Sequence, residues 1–306
     1  MKLSVILPIY NGEKTLETTL QSLLEQTFQD FELIACIDGS DDNSQQILES
    51  YSDKFYSLQV LKNSKNIGLG PTMNKLVAHA TGQYIAVAEQ DDFYYPERLA
   101  LQVEVLDNNP GIGLVSGIAD FWDGEKITMR FPGLLVNGSQ YPKGKEMFLL
   151  NYRNQIKVAN SCMMFRKAVH INNGLYFTKH YPSISVDWAY VLRFCLISNI
   201  YGINSSLVKL DRRNSRNSVT SNKIKQYMAA RELIRSFYYE YPEIILKKEF
   251  KFAMTTQDML ELSGYSKYQF LLKFVLAFSR NPFDKRWKNY LIQKMKKHFF
   301  KKSEEI

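Results

Sequence analysis

The stretch 4-SVILPIYNGEKTLETTLQSLLEQTFQDFELIACIDGSDDNS-44 decides how the rest of the chain is read. Leu3 to Pro8 is a short apolar run that reads as a buried strand. Leu16, Leu20, Leu23 and Leu24 then recur at helical spacing. Phe31 to Ile37 reads as a second strand, ending at Asp38-Gly39. Strand, helix, strand in so few residues predicts a parallel crossover.

The pattern continues. Asn43 to Tyr51 reads as a short helix, Leu58 to Leu61 as a third strand, and Pro71 opens a helix in a favoured first-turn position. Tyr84 to Ala88 is a fourth strand, Pro96 opens the next helix, and Ile112 to Ile118 is a fifth strand. From about 118 to 136 the pattern predicts irregular short strands. Ser161 to Phe165 reads as another strand and Asp187 to Ser198 as an amphipathic helix. From about 222 the chain is mainly helical. The expected fold is α/β, a mostly parallel sheet flanked by helices, followed by a helical extension.

The chain has 306 residues, 45% of them hydrophobic, and a net charge of +8. That charge is modest for the length, and no zinc-finger spacing or arginine-rich tract accompanies it, so nucleic acid is not an expected partner. Cys36, Cys162 and Cys195 lie far apart in apolar surroundings and read as buried free thiols of a reducing compartment. No stretch reaches the roughly 18 apolar residues that span a bilayer. The N-terminus lacks the features of a signal peptide. A cytoplasmic or peripheral protein is expected.

In open α/β sheets, ligands bind beyond the carboxyl ends of the strands. Three polar segments fall at such ends. Tyr10, in 8-PIYNGE-13, offers a flat face for stacking a base, or simply packs its turn. Asp38 can accept a hydrogen bond from a base or ribose, or serve the Asp-Gly turn, while Asp42 or Asn43 caps the next helix. The third segment, 86-AVAEQDDFYYP-96, crowds Glu89, Asp91 and Asp92. Like charges so close call for a positive partner. A divalent cation shared with a diphosphate is one answer. A solvated acidic turn, with Asp92 capping a helix, is the other.

Taken together with 66-NIGLG-70 and 81-TGQYIAVAEQDDFYYPERLALQ-102, these motifs resemble the inverting nucleotide-sugar glycosyltransferases of the GT-A fold, the family that includes cellulose, chitin and hyaluronan synthases. The resemblance covers roughly residues 1–220. It implies that Pro8 and Tyr10 border the base, that Asp38 binds uracil or its equivalent, and that Asn66 lines the nucleotide pocket. The family's Asp-x-Asp motif falls on Glu89-Gln90-Asp91. Glu89 would meet the donor and Asp91 would ligate Mn²⁺ or Mg²⁺. Met73 stands where the family often has an Arg, with Lys75 nearby. The family's acidic motif opening a later helix matches 186-VDWAYVLRF-194, where Val186 replaces a Glu and Asp187 remains as catalytic base; by local signals alone Asp187 is a helix cap. In 208-VKLDRRNSRNSVT-220, Arg212 or Arg213 could contact the diphosphate, and Arg213 is taken as donor-binding; a solvated basic loop explains it equally. The Gln-x-x-Arg-Trp motif of processive synthases is not evident.

The resemblance implies transfer of one sugar from a nucleotide-sugar, with UDP as the expected nucleotide, to a saccharide or lipid-linked saccharide in cell-surface polysaccharide or glycolipid synthesis. Residues 1–117 would form the nucleotide-binding half, 118–220 the acceptor-binding half, and 221–306 a basic helical region. A non-catalytic sugar-nucleotide-binding or interaction protein on a degenerate fold of this type is the alternative. A sugar nucleotidyltransferase or dehydrogenase would need a Gly-rich loop after the first strand, which 8-PIYNGEKTL-16 does not supply. After residue 280 eight Lys or Arg face three acids, with Phe and Trp interleaved. Such a segment either lies on an anionic membrane surface, at the inner face of the cell membrane, or caps the catalytic domain.

Overall fold

The computed structural model describes all residues except 132–134, 137–138, 156–157, 180–184, 214–221, 266 and 304–306, and the backbone alone at 135–136, 267–268 and 295–303. The strands are β1 (Leu3–Ile9), β2 (Phe31–Asp38), β3 (Leu58–Asn63), β4 (Tyr84–Val87), β5 (Asp92–Tyr94), β6 (Ile112–Trp122), β7 (Ile127–Phe131), β8 (Leu135–Val136), β9 (Ser139–Gln140), β10 (Met164–Arg166) and β11 (Asn199–Asp211). The helices are α1 (Leu16–Leu24), α2 (Ser44–Glu49), α3 (Leu69–His79), α4 (Arg98–Asn108), α5 (Gly144–Asn154), α6 (Lys167–Asn172), α7 (Val186–Cys195), α8 (Lys223–Glu240), α9 (Lys247–Leu262), α10 (Lys267–Arg280) and α11 (Arg286–Ser303).

The chain divides into two compact units. The first holds Met1–Asn151 and Ile156–Asn222, the second Tyr152–Gln155 and Lys223–Ile306. In the first unit one sheet runs in the order β3-β2-β1-β4-β10-β6-β11-β5, with β7 paired to β6. Strands β1 to β4 are parallel, with Leu3 opposite Phe31 on one side and Tyr84 on the other. Buried on both faces, β1 and β2 have no polar alternation: every residue of β2 is buried. Leu16, Leu20 and Leu23 of α1 join Leu33, Ala35 and Leu99 in the main core.

Two expectations are corrected. The strand expected to stop at Ile118 runs on to Trp122 and turns back as β7. Ala119 lies in the main core, and the buried Asp120 accepts from the Tyr95 hydroxyl (3.0 Å) and pairs with Arg130 of β7 (3.2 Å). The run expected as a strand from Ser161 begins as a 3-10 turn over Asn160–Cys162, and only Met164–Arg166 pairs, antiparallel to both β4 and β6. β5 has no apolar run long enough to announce it, and the run at Ser161 to Phe165 does not announce that β10 enters antiparallel between β4 and β6.

In the second unit Leu262, Ala277 and Trp287 form a small core, with Phe270, Phe274 and Tyr290 packed against it. The indole of Trp287 donates to the Asn281 carbonyl (3.0 Å). All three cysteines are buried and unpaired, as the sequence predicts. Among the described residues no helix is long and apolar enough to cross a membrane.

Candidate active site

The carboxyl ends of β2, β1 and β4 are neighbours, since β1 lies between β2 and β4. The chain therefore delivers three turns to one edge, at the point where strand order reverses.

The turn after β1 is tied to the turn after β2. The Asn11 amide, in a left-handed conformation (φ 50°), donates to Ser40 Oγ (3.1 Å), and its side-chain oxygen accepts from the Asp41 amide (3.1 Å). Gly12 donates to Ser44 Oγ (2.8 Å) and Glu13 to Asp42 Oδ2 (2.9 Å). Asp42 thus serves both its own turn and the neighbouring one. The Tyr10 ring stays about half exposed (48%) and free to present a face.

Asp38 is buried and shapes the loop after β3. Its carboxylate accepts from Asn63 Nδ2 (2.8 Å), the Ile67 amide (2.9 Å) and the Gly68 amide (3.0 Å). A carboxylate has about four lone-pair sites. Three are taken, so this residue holds the segment carrying Asn66 in place and retains one acceptor position. Gly39 has φ 68°, and a Cβ there would strike the backbone of Lys65 and Asn66. The Asp-Gly pair is required both for the turn and for this close approach. Met73 is in the core, and the Lys75 ammonium is held by the Lys62 carbonyl (2.7 Å) and Asn63 Oδ1 (2.8 Å).

The acidic turn follows β4. Oxygen atoms of Glu89, Asp91 and Asp92 lie within 4.8 Å of one another. Gln90, between them, reaches back to β1: its Oε1 accepts from the Tyr10 amide (2.7 Å) and its Nε2 donates to the Tyr10 carbonyl (2.8 Å). The Tyr94 hydroxyl accepts from the Glu89 amide (2.6 Å) and donates to its carbonyl (3.2 Å). Asn160 Nδ2 donates to Glu89 Oε1 (3.0 Å). Asp92 caps no helix. It opens β5, is 2% exposed, and its Oδ2 has no hydrogen-bond partner. Burial first, then the Glu89 charge, pushes its carboxyl well above the usual range; Ser161, Arg212 and Arg98 oppose that shift.

Two guanidinium groups therefore supply positive charge to this turn. Arg98 is fully buried beneath it, its centre 4.5 Å from the Tyr94 ring centroid and its Nη2 on the Val87 carbonyl (2.7 Å). Arg212 stacks 4.7 Å from the Phe121 ring. Arg213 instead forks onto Asp211 (2.6 Å) and lies 5.4 Å from the Trp122 ring. An oxygen-only donor set of this kind suits a hard divalent ion. The orphaned Asp92 oxygen is the observation that a cation would best explain.

Asp187 is the second residue of α7, after Ser185 in a left-handed conformation (φ 62°). Its Oδ1 accepts from the adjacent Trp188 amide (2.8 Å). The buried Trp188 indole donates to Asn151 Oδ1 (2.9 Å) and fixes the helix start. Farther upstream, Phe177 exchanges two hydrogen bonds with the Asn74 side chain on α3 (2.8 Å each). The residues 214–220 of the basic loop lie outside the described residues.

The sequence reading found the three strand ends but missed Gln90, Tyr94, Arg98 and Asn160. Gln90 and Tyr94 sit inside the acidic stretch and carry no charge to signal a role. Arg98 reads as a surface helix residue until its burial is seen.

Known proteins agree with this architecture. The GT-A arrangement is shared with S. aureus TarS in complex with UDP-GlcNAc, at a TM-score of 0.63 and 20% identity over 91% of this chain and 73% of that one. EpsE of Bacillus subtilis (strain 168), named as a glycosyltransferase, is 31% identical over 184 residues, 58% of this chain and 66% of its own length, just under two thirds. WfgD of Escherichia coli, named as a UDP-Glc:alpha-D-GlcNAc-diphosphoundecaprenol beta-1,3-glucosyltransferase, is 25% identical over 76% of this chain and 85% of its own. The profile of Glycosyl transferase family 2 matches residues 4–171, which takes in all three ligand-side turns as well as Asn160. With that match spanning more than half of its length, the chain belongs to glycosyl transferase family 2.

Proposed function

We propose that this protein transfers one sugar from a nucleotide-sugar, UDP-linked by preference, to a hydroxyl of a saccharide or lipid-linked saccharide, with inversion at the anomeric carbon. The observation that carries this reading is the acidic turn of Glu89, Asp91 and Asp92, held against the Tyr10 turn by Gln90. Pro8, Tyr10, Asp38 and Asn66 would border the base and ribose, with residues 1–117 as the nucleotide half and 118–220 as the acceptor half. Asp91 would hold Mn²⁺ or Mg²⁺, with Glu89 and Arg213 toward the donor. A bound ion of that kind would offset the charge growing on the departing diphosphate.

Asp187 takes the proton of the acceptor hydroxyl. The acceptor oxygen bonds to the anomeric carbon as the bond from that carbon to the diphosphate breaks, and the electron pair leaves with the nucleoside diphosphate. The WfgD acceptor and the basic 221–306 region favour a lipid-linked acceptor, and with it peripheral action at the inner face of the cell membrane, in polysaccharide or glycolipid synthesis. A non-catalytic nucleotide-binding role remains the competing reading, because Val186 stands beside Asp187 where a second acid would be expected.

The test is a screen of nucleotide-sugars for thermal stabilisation, with and without Mn²⁺, followed by turnover of whichever donor binds. Asp187→Asn should keep donor binding and lose transfer. Normal transfer by that variant would remove Asp187 from the mechanism, and binding without turnover in the wild type would favour the non-catalytic role.

A further inference from the structure

The α10 segment, 267-KYQFLLKFVLAFSR-280, gathers Gln269, Lys273 and Arg280 on one narrow polar strip and is largely apolar over the rest of its circumference. A surface helix ordinarily buries such an apolar arc. Here only part of it is buried. Phe270, Phe274 and Ala277 pack toward Trp287 and Tyr290, with Phe274 edge-on to the Trp287 ring at 5.4 Å. The rest of the arc leaves Leu271, Leu272, Val275 and Leu276 exposed, the first two by 68% and 65%, and Phe283 just beyond the helix is 93% exposed, while Phe278 lies at the edge against the Trp287 ring (6.1 Å). Lys273, Lys285 and Lys288 are exposed around them. Residues 267–303 carry eleven Lys or Arg and a single acid, Asp284, which Arg286 already neutralises (2.6 Å).

We propose that the outer face of α10, continued by Phe283, is a docking surface for an anionic lipid bilayer, with the apolar side chains entering the acyl boundary and the surrounding lysines meeting the headgroups. Charge selects this occupant. A second copy would bring the same excess of lysine to a two-fold contact and be repelled. An anionic bilayer offers apolar and negative groups in one plane. Fourteen residues of helix reach only about 21 Å, short of the roughly 30 Å hydrocarbon layer, so α10 lies on the membrane and does not cross it. The inference rests on reading the acceptor as membrane-borne, and it gives the basic C-terminal region a contact surface that its composition alone does not locate.

Flotation of the full chain with phosphatidylcholine vesicles, with or without phosphatidylglycerol, tests it. Recovery should be much greater with the anionic vesicles and should fall as salt is raised. The double variant Leu271→Ser/Val275→Ser should lower partitioning by about ten-fold or more. Lys285→Glu/Lys288→Glu should abolish the preference for anionic lipid, and serves alone if the first variant fails to fold. UDP binding, measured on the same samples, should be unchanged in both. Equal recovery with the two vesicle types, or undiminished flotation of the variants, overturns the proposal. So does a concentration-dependent dimer, seen by light scattering, that the Leu271 and Val275 substitutions dissolve. A chain that floats but transfers no sugar keeps the surface and sinks the catalytic reading; one that transfers sugar to a soluble acceptor but never floats does the reverse.

Discussion

Gly12→Ala and Gln90→Ala should be strongly coupled, although neither residue carries charge. A Cβ on Gly12 would come 2.7 Å from Gln90 Oε1 and 2.9 Å from its amide carbon. Gly12 has no positive φ, so alanine is permitted by the backbone, and its effect must pass through the Gln90 amide. Displacing that amide removes two hydrogen bonds to Tyr10. At so exposed a site each is worth about 0.5 kcal/mol net, the low end of the usual range, or about 1 kcal/mol for the pair. If Tyr10 positions the base, nucleotide affinity should drop by about five-fold. Gln90→Ala should lose the same amount. The double variant should lose no more than either single one, a coupling of about 1 kcal/mol. Titration calorimetry with UDP and Mn²⁺ reads all four corners of the cycle. Additive losses, or full affinity in Gln90→Ala, would refute the reasoning that this amide joins the base-side turn to the acidic turn.

Two further predictions concern groups the sequence did not mark. Tyr94→Phe deletes the hydroxyl that holds both backbone groups of Glu89; Mn²⁺ affinity, followed by electron paramagnetic resonance, should weaken several-fold while the melting temperature falls by only a few degrees. His170 is buried among Phe165, Phe177 and Tyr190, and burial depresses its pKa to about 4. The unfolded chain, near 6.5, then binds the proton that the folded one refuses, so stability is full above pH 6.5 and declines as pH falls from there to 4, by about 3 kcal/mol. Denaturant midpoints across that range should flatten in His170→Phe; an unchanged slope would place the proton elsewhere.

Much of the first unit could be read from the sequence because burial on both faces removes polar residues from a strand. β1 and β2 are apolar except at Ser4 and Glu32, whose side chains bond each other (2.5 Å), and their carboxyl ends carry Tyr10 and Asp38. The same logic fails for β5, and for β10 it finds a strand within Ser161 to Phe165 but not its antiparallel place in the sheet. Each has three residues, and each is stabilised by its neighbours in the sheet, which a local pattern does not contain. The acidic turn was legible as a cluster of like charges. What makes it a single geometric object was not, since Gln90 acts across 80 residues and Asn160 across 71. The outer face of α10 lay in between: its composition was plain, but which side faces solvent depends on where Trp287 sits.

The antiparallel β10 has a consequence for how the chain can be handled. It is the wedge between β4 and β6, so a fragment ending near residue 117 would leave the Tyr84–Val87 edge with unpaired amides and carbonyls along its length. On the ribosome the same edge must wait for nearly fifty more residues before it closes. The boundary at which nucleotide and acceptor duties would be separated is thus not a boundary at which the polypeptide can be severed.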